Sequence, residues 1–285
     1  MEVKILTFDI EDWFHVLDNK DTQSPDVWDK FPSRAEEGLE RILEFLSSQN
    51  QKATFFILGW MAEKYPELIR KIDRCGHHIA SHSYAHQLVY QQSQSAFRED
   101  LFRSKMVLEE LISKPITAYR APGFSLTDDT RWAFEQLVDL DFEIDCSVFP
   151  AGRAHGGMPN FTAHSPCISY EFDSPLKFFP INSRAIGGVN FIYSGGGYFR
   201  IFPEWLLRRW FSNDPYVMTY FHPRDFDPDQ PIIPGLGSIR KFKSYVGLGS
   251  ALRKLEAIVA DNNFVSLDEA DIEFDWSSAL QVKVR

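Results

Sequence analysis

The chain lacks the features that would place it in several large classes of protein. Only three cysteines, Cys75, Cys146 and Cys167, occur in 285 residues. They are widely spaced and odd in number, so they form neither a thiolate metal motif nor a disulfide framework. Cys146 reads as a small buried apolar residue and not as a nucleophile. No apolar run approaches the roughly 18 residues of a membrane-spanning helix, so no span is expected. Cations are in the minority: 30 Lys and Arg against 40 Asp and Glu leave a net charge of −10. With no basic stripe to release counterions, nucleic acid is not an expected partner; a neutral sugar is compatible with this charge. There is no internal repeat and no low-complexity segment. The N-terminus has no basic region leading into an apolar stretch and a small-residue cleavage site, so with Met1 as its start the chain is expected to be cytoplasmic. Nothing in the sequence sets the oligomeric state.

Phenylalanine, in contrast, is abundant, with 25 copies. That suits a large core or an aromatic-lined groove. A hydrophobic share of 44% and a charged share of 25% are ordinary for a globular chain. The length allows one large α/β domain or two small ones.

Strand-like and helix-like stretches alternate. Residues 3–8 read as a first strand. Ser33 and Glu36 have capping-box spacing ahead of a helical stripe of Leu39, Ile42, Leu43 and Leu46. Residues 53–58 form a continuous apolar run, as in a strand buried on both faces. A helix opened by Pro66 runs to about Arg74 and stops at Gly76. Residues 78–81 form a short strand, followed by a helix over 95–113, a strand over 116–120, a helix over 128–137 and a strand over 142–148. This alternation predicts parallel β/α packing. The rhythm breaks at about 150–215, a Gly-rich segment with β-like pieces at 168–172 and 178–181 and a helix near 203–211. It reads as an insertion capping the face of a single domain spanning 1–285. Strand 216–221, helix 250–261 and strand 264–267 close the fold.

Chemistry-bearing residues gather near strand ends, where α/β barrels place functional groups. His82-Ser83-Tyr84-Ala85-His86 sets two imidazoles four residues apart, able to meet one metal ion if the backbone turns helically between them. Alone, such a pair also fits two surface or capping histidines. Asp9, Glu11 and Asp12 cluster near the N-terminus, Arg120 lies in Arg-Ala-Pro-Gly, Asp145 follows Ile144, and His222 closes a hydrophobic strand.

The order of these motifs resembles the polysaccharide deacetylase family, also called the NodB-homology or carbohydrate esterase 4 family. Thr7-Phe8-Asp9 matches its first motif, with the second acid displaced to Glu11 or Asp12. His82 to His86 matches the second motif fully, Arg120-Ala121-Pro122-Gly123 the third, Asp145 is the candidate for the fourth, and His222 fits the fifth. The form of the first motif and the long insertion look like a bacterial exopolysaccharide- or lipopolysaccharide-associated branch. The resemblance implies an α/β fold, a distorted (β/α)7-type barrel carrying the inserted, Gly-rich, β-containing segment. It implies metal-dependent removal of N-acetyl groups from an amino sugar in a glycan, a lipid-linked sugar or a sugar nucleotide.

In that reading His82 and His86 are metal ligands with Glu11 or Asp12. Glu11 shares a face with Asp9 if the strand continues, and Asp12 turns inward if it stops. Asp9 is the general base, kept ionised by Arg120. His222 is the general acid. Asp145 either orients His222 or caps its own strand. The Gly123 N–H is the oxyanion donor. Zinc is the default ion for two imidazoles and a carboxylate, with cobalt and nickel suited to similar ligands. His77 and His78 read as structural, while His15, His155 and His164 follow no pattern. Trp13, Phe124 and Tyr198 are candidate sugar-stacking faces or simply core. The alternatives are a metal-independent or cyclic-amide hydrolase of the allantoin type on the same fold, and a non-catalytic glycan-binding protein.

Overall fold

A computed structural model describes residues 2–17, 19, 21–152, 156–233 and 235–285; His155 lies outside the described residues. The chain divides into two compact units, one of residues 1–55 and 183–270, the other of 56–182 and 271–285.

In the first unit, strands Val3–Ile5 and Thr7–Ile10 carry β-branched and aromatic residues, and every residue in both is buried. Burial on both faces suits the parallel pairing of Val3–Ile5 with Tyr216–Met218, in register from Val3 opposite Tyr216 to Ile5 opposite Met218. An isolated parallel bridge joins Phe8 to Phe221. The abundant Phe residues build this core. Phe8 stacks on Phe55 at 5.2 Å, and Phe221 and Phe226 close around it at 6.1 and 6.3 Å. Helix Ala35–Ser48 buries the expected stripe of Leu39, Ile42, Leu43 and Leu46. Its Gly38 lies against the turn after His222: a Cβ there would sit 2.4 Å from the Pro223 carbonyl oxygen.

Two expectations change in this unit. The Ser33 capping box does not form: Arg34 is the N-cap and makes no side-chain capping bond. The Ser33 hydroxyl donates to the Asp12 carboxylate and accepts the N–H of Ala35, the first helical residue, at 3.3 Å. The last strand, 264–267, is absent apart from a single bridge between Val265 and Ile5. Leu267 instead begins helix Leu267–Glu273, where Ser266 and Glu269 bond at N-terminal box spacing. Strands Arg184–Ile186 and Val189–Phe191 form an antiparallel hairpin. Gly187 and Gly188 supply its turn at φ 58° and 81°, the left-handed conformation a two-residue hairpin demands.

The second unit orders its strands as Leu280–Gln281, Cys167–Ser169, Leu176–Phe178, Ile144–Asp145, Ala118–Tyr119, His78–Ser81 and Thr54–Ile57, the last of which crosses the unit boundary. Pairing is parallel from Ser81 to Tyr119, Asp145 and Phe178. Cys167–Ser169 and Leu176–Phe178 run antiparallel. Helices Gly59–Lys64, Pro66–Arg74, Gln94–Ile112 and Trp132–Val138 separate the strands. The α/β class and the mostly parallel sheet follow the sequence pattern. The segment 150–215 is shared between the units at Asn182 and Ser183. Among the described residues no helix is long and apolar enough to cross a membrane.

A helical Gly→Ala change ordinarily stabilises by about 1 kcal/mol. Gly38→Ala should instead destabilise by about 1–3 kcal/mol through overpacking against Pro223. Urea denaturation measures it: a midpoint equal to or above that of the parent chain refutes the contact.

Candidate functional site

In the first unit, strand Thr7–Ile10 stops in a tight turn, with the Glu11 N–H donating to the Asp9 carbonyl at 3.1 Å. The Asp9 and Glu11 carboxylates nevertheless meet the same imidazole. His222 Nε2 lies 3.9 Å from Asp9 Oδ2 and 3.8 Å from Glu11 Oε1, and the three side chains form a group able to hold a cation. Asp12 is engaged elsewhere: its carboxylate accepts from the Trp13 N–H at 2.8 Å, from the Arg34 N–H at 3.1 Å and from Ser33. Burial raises its pKa, and these hydrogen bonds oppose the rise.

His222 follows the strand end and opens the turn Pro223–Phe226. Asp225 Oδ2 accepts its backbone N–H at 2.9 Å and lies 3.0 Å from its Nδ1. Asp225 Oδ1 faces Arg200 Nε at 3.2 Å. Burial alone would push the Asp225 carboxyl upward, but Arg200 and His222 hold it at about 2. For His222, burial favours the neutral ring. Glu11, Asp225 and Asp9 outweigh that and raise its pKa to about 9. The carboxylate on the imidazole is therefore Asp225, which the sequence reading did not single out. Its spacing, three residues past His222 with Pro223 between, is the capping-box signal that could have found it.

The second unit builds the two-histidine loop without a helix. Ser83 and His86 take φ of 67° and 51°, left-handed values that cost side-chain-bearing residues free energy. The surrounding groups hold this geometry. Asp100 accepts from the Tyr84 and Ala85 N–H groups, both at 2.8 Å. The first N–H groups of helix Gly59–Lys64 donate to Ser83 O at 2.9 Å and Tyr84 O at 3.2 Å. Gly59 is required by this approach, since a Cβ there would meet the Tyr84 ring at 2.6 Å. Burial raises the Asp100 pKa against those two hydrogen bonds. The rings of His82 and His86 lie 5.5 Å apart. His82 Nδ1 is 2.8 Å from the Arg120 carbonyl oxygen, so Nδ1 carries the hydrogen and Nε2 keeps its lone pair for a cation.

Arg120 is fully buried, its guanidinium 3.9 Å above the Phe56 ring. Gly123 takes φ 61° in the turn behind Pro122, open to glycine without strain. Asp145 is bonded as a strand-end brace: its Oδ1 accepts the Ser147 N–H at 3.0 Å, and the Ser147 hydroxyl accepts the Ala121 N–H at 2.8 Å. Burial raises Asp145 to about 7, with Ser147 and the Arg120 charge pulling the other way. Trp13 is core, edge-on to Phe14 and Phe31 at 5.6 Å, and Phe124 is buried. Tyr198 is half-buried against Phe191 and Phe202.

The fold is α/β with a mostly parallel sheet, and strand and turn ends in each unit carry carboxylates or imidazoles. Residues 19–138 match the model of the polysaccharide deacetylase family, and residues 146–271 match a domain of unknown function, DUF3473. Asp9 precedes the first of these matches, and His222 lies within the second. A peptidoglycan-N-acetylglucosamine deacetylase of Bacillus cereus is 34% identical over 97 residues, 34% of this chain and 35% of that protein. The chain spans 35%, 41% and 42% of the length of three such curated relatives. The crystal structure of a putative polysaccharide deacetylase from Mycobacterium smegmatis superposes with a TM-score of 0.67 at 19% identity, covering 99% of this chain and 92% of that one. A CE4 family pseudoenzyme from Bacillus anthracis superposes at 0.51 with 14% identity, covering 94% of this chain and 64% of the other. These likenesses show the polysaccharide deacetylase fold.

In the metal-free protein the His222 ring should titrate near 9. Its folded pKa lies above the unfolded value of about 6.5, so its contribution to stability is full below that value and is lost as pH rises through about 9. Imidazole NMR should show that midpoint, and Asp225→Asn should lower it. A midpoint at or below the unperturbed value in the parent chain contradicts the placement of the carboxylates.

Proposed function

We propose that this chain hydrolyses the N-acetyl group of an amino sugar in a glycan or its biosynthetic precursor, using a divalent cation held by His82, His86 and Glu11. The observation that carries the reading is the His82–His86 loop, braced so that two imidazole donors face one another 5.5 Å apart with His82 Nδ1 tied to a carbonyl. Two nitrogens and a carboxylate suit zinc, and also cobalt or nickel. Glu11 is preferred to Asp12 because both Asp12 oxygens are committed to the loop at Trp13, Ser33 and Arg34. The curated relatives named peptidoglycan deacetylases support the substrate class.

When bound, the cation supplies Lewis acidity toward the amide carbonyl. The side chains do the rest. Asp9 takes the proton from the attacking water. The Gly123 N–H donates to the carbonyl oxygen as negative charge develops. His222, protonated at neutral pH and held at Nδ1 by Asp225, passes its Nε2 proton to the leaving nitrogen as the carbon–nitrogen bond breaks. Acetate and a free amine result.

Acetate release from N-acetylglucosamine oligomers tests the reading. Asp9→Asn and His222→Ala should each slow turnover by about 10²–10⁴-fold with bound zinc retained, while His82→Ala should lose zinc and activity together. A parent chain that binds the oligomers and releases no acetate is a glycan-binding protein; turnover of cyclic amides alone supports the other hydrolase.

A further inference from the structure

Within the first unit, helix Ser238–Tyr245 buries none of its residues. Ile239 and Phe242, three apart and so on one stripe, are 76% and 60% exposed. Ile232, 58% exposed, lies in the segment that leads into the helix. The Tyr245 hydroxyl accepts the Ile233 N–H at 2.8 Å and donates to the Pro231 carbonyl at 3.0 Å, which fastens that segment to the helix. Lys241 and Lys243 on the same helix are exposed, the Lys243 Nζ 5.4 Å from the Tyr198 ring. From Gln230 through Leu252 the sequence holds three cations, Arg240, Lys241 and Lys243, and no acid, in a chain of net charge −10. The helix is also held firmly: Arg200 donates to the Ser244 and Lys243 carbonyls at 2.8 and 3.1 Å.

We propose that this face docks the protein on an anionic phospholipid surface. Ile232, Ile239 and Phe242 would enter the acyl boundary, and Lys241 and Lys243 would meet the headgroup phosphates. A neutral glycan would leave the cations without a counter-charge. A two-fold related copy of the chain would set the same cations against each other. An anionic bilayer satisfies both halves of the face at once, in the manner of interfacial amphipathic helices. Arg200 also bonds Asp225, so a docked helix would lie close to His222. The proposal does not depend on the hydrolytic reading.

Sedimentation with vesicles tests it. The full chain should pellet with phosphatidylcholine vesicles containing phosphatidylglycerol, pellet little with phosphatidylcholine alone, and release as salt is raised. Lys241→Ala with Lys243→Ala should weaken binding by about tenfold or more, and Ile239→Ser with Phe242→Ser should abolish it, both with unchanged circular dichroism. Three outcomes would overturn the proposal: no pelleting with the anionic vesicles, pelleting undiminished in both double variants, or an Ile239- and Phe242-dependent dimer that ignores vesicles.

Discussion

Asp225 is a buried carboxylate that stays ionised because Arg200 Nε lies 3.2 Å from one oxygen and His222 Nδ1 lies 3.0 Å from the other. Breaking a buried charge pair by removing one partner costs about 3–5 kcal/mol, since the remaining charge has no water to turn to. Much of the first unit is arranged around that demand. Arg200 comes from helix Gly196–Ile201, and its other donors hold the end of helix Ser238–Tyr245. Asp225 also accepts the His222 N–H, which fixes the strand end and the turn together. Helix Ala35–Ser48 then packs on that turn at a distance only glycine permits. One carboxylate thereby orders four separate stretches of sequence and sets the proton-bearing nitrogen of the imidazole.

The second unit solves a related problem with backbone groups. Two side-chain-bearing residues in left-handed conformation cost of order 1–3 kcal/mol each. Hydrogen bonds to a charged group return about 1.5–3 kcal/mol each, and Asp100 makes two of them to this loop. The strained turn, rather than a helix, aims His82 and His86 at one another. The Arg120 carbonyl completes the design by choosing the His82 tautomer. Arg120 therefore contributes twice, through its main chain to one imidazole and through a buried side chain stacked on Phe56.

The α/β order, most strands and the apolar stripe of helix Ala35–Ser48 were legible, because periodicity records burial directly. His82, His86, Arg120 and His222 were legible because motif spacing survives in one dimension. Asp100, Gly59 and Arg200 were not. Each acts on a site residue at least 15 positions away, Asp100 on Ala85 being the nearest, and spacing carries no trace of such contacts. Ser33 misled because the helix begins at Ala35 with Arg34 as its N-cap, while the Ser33 hydroxyl donates to Asp12, 21 residues distant. Residues 264–267 misled because an apolar run fits either a strand or a helix start, and Ser266 with Glu269 decided for the helix.

The displaced acid of the first motif has a local cause. Alternate residues of a strand share a face, while adjacent ones oppose. With Asp9 turned toward His222, position 10 faces the other way, and Ile10 there is fully buried. A carboxylate at position 10 would have to be desolvated among apolar neighbours. The next position able to accompany Asp9 is 11, where the chain has already turned through the bond to the Asp9 carbonyl. Glutamate has the extra methylene to reach back from that turn, and its Oε1 ends 3.8 Å from the same His222 nitrogen that Asp9 faces at 3.9 Å. Asp12, one residue further, is past the turn and clasps the Arg34 and Trp13 N–H groups. The same fold occurs in a pseudoenzyme, so the backbone alone cannot decide what this chain does. In the proposed reaction the decisive pair is Asp9 and Glu11, and their spacing follows from the face that Ile10 must keep buried.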